Sequence, residues 1–220
     1  MKKFFTFSFL ILLFVSSVYS QDVKPTVDKY NLMASVGASF CVPMDVMKES
    51  YTYGIGGTMD IAIPFSKNIA GRVELTINDF MYDKDAYSTR MNYADTMAVT
   101  GGNALLIAMK LNFCGGIFKP SEKFAFYGLA GVGAYFMTSQ DLVSTNNKTT
   151  LETRIGGTSK MYMGLNAGLR GAYKVSPKAS IFLETGVDMY FGAESWNKAT
   201  LDTRNNWYIP IKLGVMIHTF

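Results

Sequence analysis

The sequence predicts an all-β fold, an eight-stranded antiparallel up-and-down transmembrane β-barrel, and three observations carry that expectation. The chain opens with a secretory leader. It then divides into eight segments that alternate in polarity with period two. The gaps between those segments alternate between short turns and long polar loops. Composition agrees: at 220 residues, with 49% hydrophobic and only 17% charged, one ordered domain with ample apolar surface is expected. The formal charge of +4 becomes +2 once Lys2 and Lys3 of the leader are set aside, too balanced to point to nucleic acid.

Residues 1–20 read as a signal peptide. Lys2 and Lys3 form the charged region, Phe4 to Val15 the apolar region, and Val18 and Ser20 stand at −3 and −1 before Gln21. An uncleaved anchor fits less well, because the apolar run is shorter than the ~20 residues that cross a bilayer and contains Thr6 and Ser8. No cysteine stands at the cleavage point to carry a lipid, and no later run is long enough for a transmembrane helix. Integral contact with a membrane must then be made by a barrel. Residues 21–30, with Pro25, form a short polar periplasmic lead-in, and 31–220 the outer-membrane barrel domain.

The eight strands are expected at Asn31–Val42, Tyr53–Ile63, Ala70–Tyr82, Asn103–Cys114, Phe124–Met137, Lys160–Lys174, Ala179–Phe191 and Asn206–Thr219. In the sixth, Met161, Met163, Leu165, Ala167, Leu169 and Tyr173 share one face, and Lys160, Asn166, Arg170 and Lys174 the other; a helix would mix the two sets. The seventh opposes Ile181, Leu183, Val187, Met189 and Phe191 to Ser180, Glu184, Gly186 and Asp188. The third sets Val73, Leu75 and Ile77 against Arg72, Glu74, Thr76 and Asn78, and the fourth sets Leu105, Ile107, Met109, Leu111 and Phe113 against Ala104, Ala108, Lys110 and Asn112. The fifth, with Gly128, Gly131 and Gly133, leaves its facing open.

Short gaps follow the second, fourth and sixth segments: Pro64–Asn68, Gly115–Lys123 and Val175–Lys178. The other gaps are long and polar, as in Asp83–Thr100, Ser139–Thr158 and Gly192–Asn205. A chain that enters the barrel from the periplasm gives this rhythm of short inner turns and long outer loops. A soluble lipocalin-like barrel also alternates, with its apolar face inside. The polar face decides between them: it is mostly Gly, Ala, Ser and Asn around isolated charges, which suits a narrow filled lumen better than a solvated exterior. Phe40, Tyr53, Phe80, Tyr82, Phe113, Tyr173, Phe191 and Trp207 lie near strand ends, where interfacial girdles are expected.

With leader, eight alternating segments and terminal Phe220, the chain resembles the OmpA-type and OmpX-type outer-membrane barrels over nearly its whole mature length, by pattern rather than by any family-specific motif. The resemblance implies contact with outer-membrane lipid and recognition by the barrel-assembly machinery. One departure stands out: Trp207, Ile209, Ile211, Leu213, Val215 and Ile217 form the lipid face, and Phe220 is out of phase unless a bulge near His218 restores the register.

The candidate functional residues are the interior charges Asp60, Arg72, Glu74, Lys110, Arg170, Glu184, Asp188 and Lys212. A structural ion-pair network filling the lumen is the favoured reading and a gated pore or proton path the sharper one, since confined charges must find partners and eight strands leave little lumen. Arg170 is expected to meet Glu184 or Asp188 on the neighbouring strand. No catalytic, cofactor or metal site is expected. The one histidine, His218, sits at the periplasmic rim, where a Ser/His/acid set would have to assemble for hydrolase or acyltransferase chemistry. One His and two Cys make a zinc site improbable. Gly128–Gly133 lacks the strand–loop–helix of a nucleotide loop, and Asn147-Lys148-Thr149 reads as a polar loop tip. Cys41 and Cys114 fall at opposite rims and should stay unpaired. Three roles remain open: a structural or surface-interaction barrel whose loops meet an unnamed partner; a narrow pore or passage for small hydrophobic molecules, as a resemblance to OmpW-like barrels allows; or an accessory barrel of a secretion system, similar to PorT.

Overall fold

A computed structural model describes residues 32–66, 68–85, 97–116, 123–146, 152–191 and 206–218. The leader, the lead-in, the loop at 192–205, the tip at 147–149 and Phe220 lie outside them. The described strands are β1 (Met33–Met44), β2 (Tyr51–Pro64), β3 (Ile69–Tyr82), β4 (Met97–Gly101), β5 (Ala104–Gly116), β6 (Phe124–Ser139), β7 (Leu142–Asn146), β8 (Glu152–Ile155), β9 (Ser159–Ser176), β10 (Ala179–Phe191) and β11 (Asn206–His218), with one short helix, α1 (Asp45–Lys48). Eight of them close in the order β1-β11-β10-β9-β6-β5-β3-β2, every pair antiparallel. They match the eight expected segments to within a few residues at each end.

Closure leaves no edge and satisfies every ladder, the condition for crossing a bilayer without helices. Period two then sorts the side chains. Val36, Met59, Val73, Leu111, Val132, Leu165, Leu183 and Leu213 stand exposed on the outside, whereas Asp60, Arg72, Glu74, Asn112, Asn166, Arg170 and Lys212 are buried within. Apolar side chains facing out and ions facing in are stable only if the outer solvent is hydrocarbon. The molecule is therefore a transmembrane barrel and not an inside-out soluble one. The open facing of the fifth segment is settled as well: Tyr127, Leu129, Tyr135 and Met137 point inward with Gly131 and Gly133 between them, and Gly128 faces out.

Three strands were not expected. β4, β7 and β8 form a separate sheet in the order β4-β7-β8, the same lateral order as β5-β6-β9, which they precede or follow in the chain. They make a flap where long polar loops were expected. Its root is a kink at Gly101 and Gly102, with φ of 79° and 82°, where a side chain would be strained. The Gly102 amide donates to the Asp141 carbonyl at 3.2 Å and the Gln140 amide to the Asn103 carbonyl at 2.8 Å, so the root is stitched. α1 is the other addition: it occupies the β1–β2 loop and buries Val46 and Met47.

Two expected girdle residues are reassigned. Phe80 is fully buried in the lumen and Tyr82 packs against the same inner cluster, because Phe80 shares the parity of Arg72, Glu74, Thr76 and Asn78. Phe40, Tyr53, Phe113, Tyr173 and Phe191 do face outward, with Phe40 stacked on Tyr53 and Phe124 tilted against Tyr173. The β1–β11 ladder runs without a bulge from Met33↔His218 to Met44↔Trp207.

Candidate functional site

Strand register builds the lumen as two facing arcs of charge. On one wall Glu74 lies between Asp60 on β2 and Lys110 on β5; on the other, Glu184 lies between Arg170 on β9 and Lys212 on β11. The strands that separate the arcs, β1 and β6, carry small inward residues there: Ser35, Gly37 and Ser39 on one side, Gly131 and Gly133 on the other. That small-residue spacing leaves room for four long cationic side chains to cross.

All eight candidate residues are buried and joined in one belt of four cations and four carboxylates. Arg72 binds Glu184 through two bonds of 2.6 and 3.1 Å and also meets Glu74 and Asp60. Arg170 reaches Asp60 and Glu184, each at 2.6 Å, and donates to Ser35 at 3.1 Å. Lys212 bridges Glu74 and Glu184 at 2.5 and 2.6 Å, and Lys110 bridges Asp188 and Glu74 at 2.6 and 3.0 Å. Of the two carboxylates expected for Arg170, then, Glu184 is its partner and Asp188 serves Lys110. The belt is formally neutral, and its mutual attraction offsets the cost of holding these ions away from water.

The lumen is not polar throughout. Toward the turn end, Met33, Ala62, Cys114, Tyr127, Leu129, Phe182 and Met216 form an apolar layer, and the Arg170 guanidinium lies over the Phe182 ring at 4.1 Å. Toward the loop end, Tyr51, Phe80, Tyr135, Tyr162, Tyr190 and Tyr208 form a second layer, with Met47 of α1 set into it. The Tyr190 hydroxyl lies 3.2 Å from Met47 Sδ and 3.4 Å from Met137 Sδ. Strand parity reveals Phe182, Tyr127, Tyr135, Tyr162, Tyr190 and Tyr208 as inward; Tyr51 breaks it, because a register shift between Tyr51 and Tyr53 turns it into the lumen. Met47 carries no periodic signal. Cys41 and Cys114 are free and lie in different layers.

Ser180 and His218 are hydrogen-bonded at 2.8 Å near the turn end. The register sets Lys174 opposite Ser180, where a triad would need a carboxylate beside the histidine. Among the described residues no cluster of three His, Cys, Asp or Glu side chains could hold a metal ion.

No family model and no curated protein matches the chain. Solved structures do. A major outer membrane protein from Thermus thermophilus matches with a TM-score of 0.52 at 16% identity, over 86% of this chain and 100% of that one. The fold is that of the small outer-membrane β-barrels. Neisserial surface protein A matches with a TM-score of 0.51 at 9% identity, over 86% and 97% of the two chains. The attachment invasion locus protein Ail of Yersinia pestis gives 0.50 at 11%, over 87% and 100%. At these identities the likeness of the barrels is one of fold, and on that level the resemblance to OmpA-type and OmpX-type proteins holds.

Proposed function

We propose that the chain is a closed outer-membrane barrel that serves as an anchor, presenting its long loops and the β4–β7–β8 flap at the cell surface. Short turns then face the periplasm and long loops the exterior, as outer-membrane chains arrange them. One observation carries the reading: a neutral, fully paired ion belt lies between two apolar layers, with Met47 capping the outer one. A permeating ion would have to break paired charges and pass two layers of packed, buried side chains in turn. The eight belt residues are accordingly structural fillers that hold the wall rigid, not a conduction path.

The test is conductance of the refolded full barrel in a planar bilayer. No unitary steps are expected; reproducible steps that change size with belt substitutions would replace the anchor with a pore. The same reading takes residues 1–20 as a cleaved leader, so protein from the outer-membrane fraction should begin at Gln21. Depleting the barrel-assembly machinery should remove the chain from that fraction.

A further inference from the structure

We propose that residues 101–103, 139–141 and 156–158 form a joint about which the β4–β7–β8 flap turns on the barrel as one body, and that the Asp141 carboxylate is the latch holding the observed angle. The joint is a property of the fold alone, whichever compartment the loop end faces. Register is the first observation behind it. The last barrel rung between β5 and β6 is Ala104↔Ser139 and the first flap rung is Gly101↔Leu142, so each strand leaves two residues between them. From β6 to β9 the last rung is Thr138↔Ser159 and the flap resumes at Leu142↔Ile155, leaving three residues in each strand. The flap is therefore the β5–β6–β9 wall continued in step, interrupted at one level across all three strands. Because the break adds and drops no residue, the sheet can bend there without changing which residues pair above or below it. Among the described residues no ladder joins the flap to a barrel strand.

The bonding across the break is the second observation. Gly101 and Gly102 cross it on one side of residues 139–141, and Gly156 and Gly157 on the other. A Cβ on Gly101 would run into the Asp141 carbonyl and one on Gly157 into that of Ser139, so glycine lets both outer strands close on the middle one. Besides the backbone bond from the Ser139 amide to the Thr158 carbonyl at 2.8 Å, the contacts to 156–158 are made by side chains: the Gly157 amide donates to Asp141 Oδ1 at 2.7 Å and the Thr158 amide to Ser139 Oγ at 3.0 Å. A side chain releases an amide by changing rotamer, and no strand has to part. Asp141 thus ties both glycine pairs, Gly102 through its carbonyl and Gly157 through its carboxylate. It is exposed, so water competes for both ties. One apolar seat adds to them: buried Leu142 and the Tyr82 ring lie against Gly102, their Cδ1 and Cγ atoms 2.9 and 2.7 Å from where a Cβ would stand. A few element-terminal residues that absorb the change in φ and ψ are what a hinge between two packed bodies consists of.

The experiment is double electron–electron resonance on the refolded full chain in lipid nanodiscs, with Cys41 and Cys114 replaced by alanine and nitroxides at exposed positions. One pair, Ala98→Cys with Ile55→Cys, spans the joint; the other, Ile55→Cys with Met161→Cys, lies wholly on the barrel wall. Asp141→Ala should raise a second distance population roughly five-fold in the spanning pair, the factor one exposed hydrogen bond is worth, and leave the wall pair unchanged. Asp141→Asn, which keeps an acceptor oxygen, should stay close to the parent. Amide exchange on the Asp141→Ala variant with its cysteines intact gives a second reading: the Gly157 amide should exchange roughly five-fold faster, while the β4–β7 ladder keeps the parent's rates because the flap moves as a body. If the cysteine-free chain does not fold, this exchange measurement decides alone. Distances and exchange unmoved by Asp141→Ala would overturn the latch. Flap ladder amides that exchange together with Gly157 would show that the flap melts instead of turning, and would overturn the joint.

Discussion

Glu184→Gln probes the ion belt at a carboxylate shared by three cations. Glu184 accepts two bonds from Arg72 at 2.6 and 3.1 Å, one from Arg170 at 2.6 Å and one from Lys212 at 2.6 Å. Neutralising it leaves three buried cations short of a partner and the belt with an excess positive charge. Breaking a buried pair in this way costs about 3–5 kcal/mol, and the number of ties lost puts Glu184→Gln at the upper end. Lys212→Met removes a cation whose anions keep others: Glu74 retains Lys110 and Arg72, and Glu184 retains both arginines. About 3 kcal/mol is expected there. The double variant restores neutrality with an apolar side chain of similar length, and such replacements are close to neutral, so its cost should be roughly 2 kcal/mol or less. The cycle should therefore show a coupling of several kcal/mol. Urea unfolding in lipid vesicles, followed by gel mobility and tryptophan fluorescence, measures each arm. Additivity to within about 0.5 kcal/mol would show that the two groups do not share a belt and would refute the reasoning.

Facing can be tested on adjacent residues of one strand: Leu165→Arg, on the exposed wall, should cost about 2–4 kcal/mol near the bilayer midplane, whereas Asn166→Ser, inside and bonded to Asn112 at 2.5 Å, should cost about 1 kcal/mol. Equal costs would mean that the wall is turned the wrong way. Met47→Ala should destabilise the barrel by about 2 kcal/mol or more through the cavity left beside Tyr190, yet bilayer recordings should stay silent, because the belt and the layer below it remain. Channel openings in that variant would locate the whole barrier in α1. Thiol labelling of denatured, unreduced protein should find Cys41 and Cys114 both reactive; a cross-linked peptide joining them would contradict their separation into different layers.

The wall of this protein is legible in its sequence because one rule governs it. In β9 and β10 the alternation from Met161 to Tyr173 and from Ile181 to Phe191 gives strand, length and facing together, since a strand between lipid and lumen has no third environment to confuse the pattern. The same parity brings Arg170 and Glu184 to one face. The same rule outranks residue type: Phe80 is aromatic and near a strand end, which suggests a girdle, but its parity with Asn78 points it inward. Other features had no such signal. β4, β7 and β8 are four or five residues long, too short for alternation to rise above loop composition, and they pair only with one another. Met47 is an isolated apolar residue in a polar loop, and its place depends on the closed barrel beneath it. Partners across the lumen, such as Arg170 with Asp60, follow from how the cylinder closes, which no local pattern encodes.

That closure has a consequence for how the barrel is made. The ties Arg170–Asp60, Arg72–Glu184 and Lys212–Glu74 join residues 110, 112 and 138 positions apart in the chain, across the bore and not along neighbouring strands. While the sheet is still an open ribbon, each of these ions faces water and loses little. Once the ribbon curls, the water leaves, and every ion must meet its counterpart at the same moment. A ribbon that has slipped by two residues at any seam would bring the arcs together out of step and strand several charges in a dry bore. The belt thus works as a combination lock on assembly: it adds little to the finished wall, and it makes nearly every misaligned wall too costly to close.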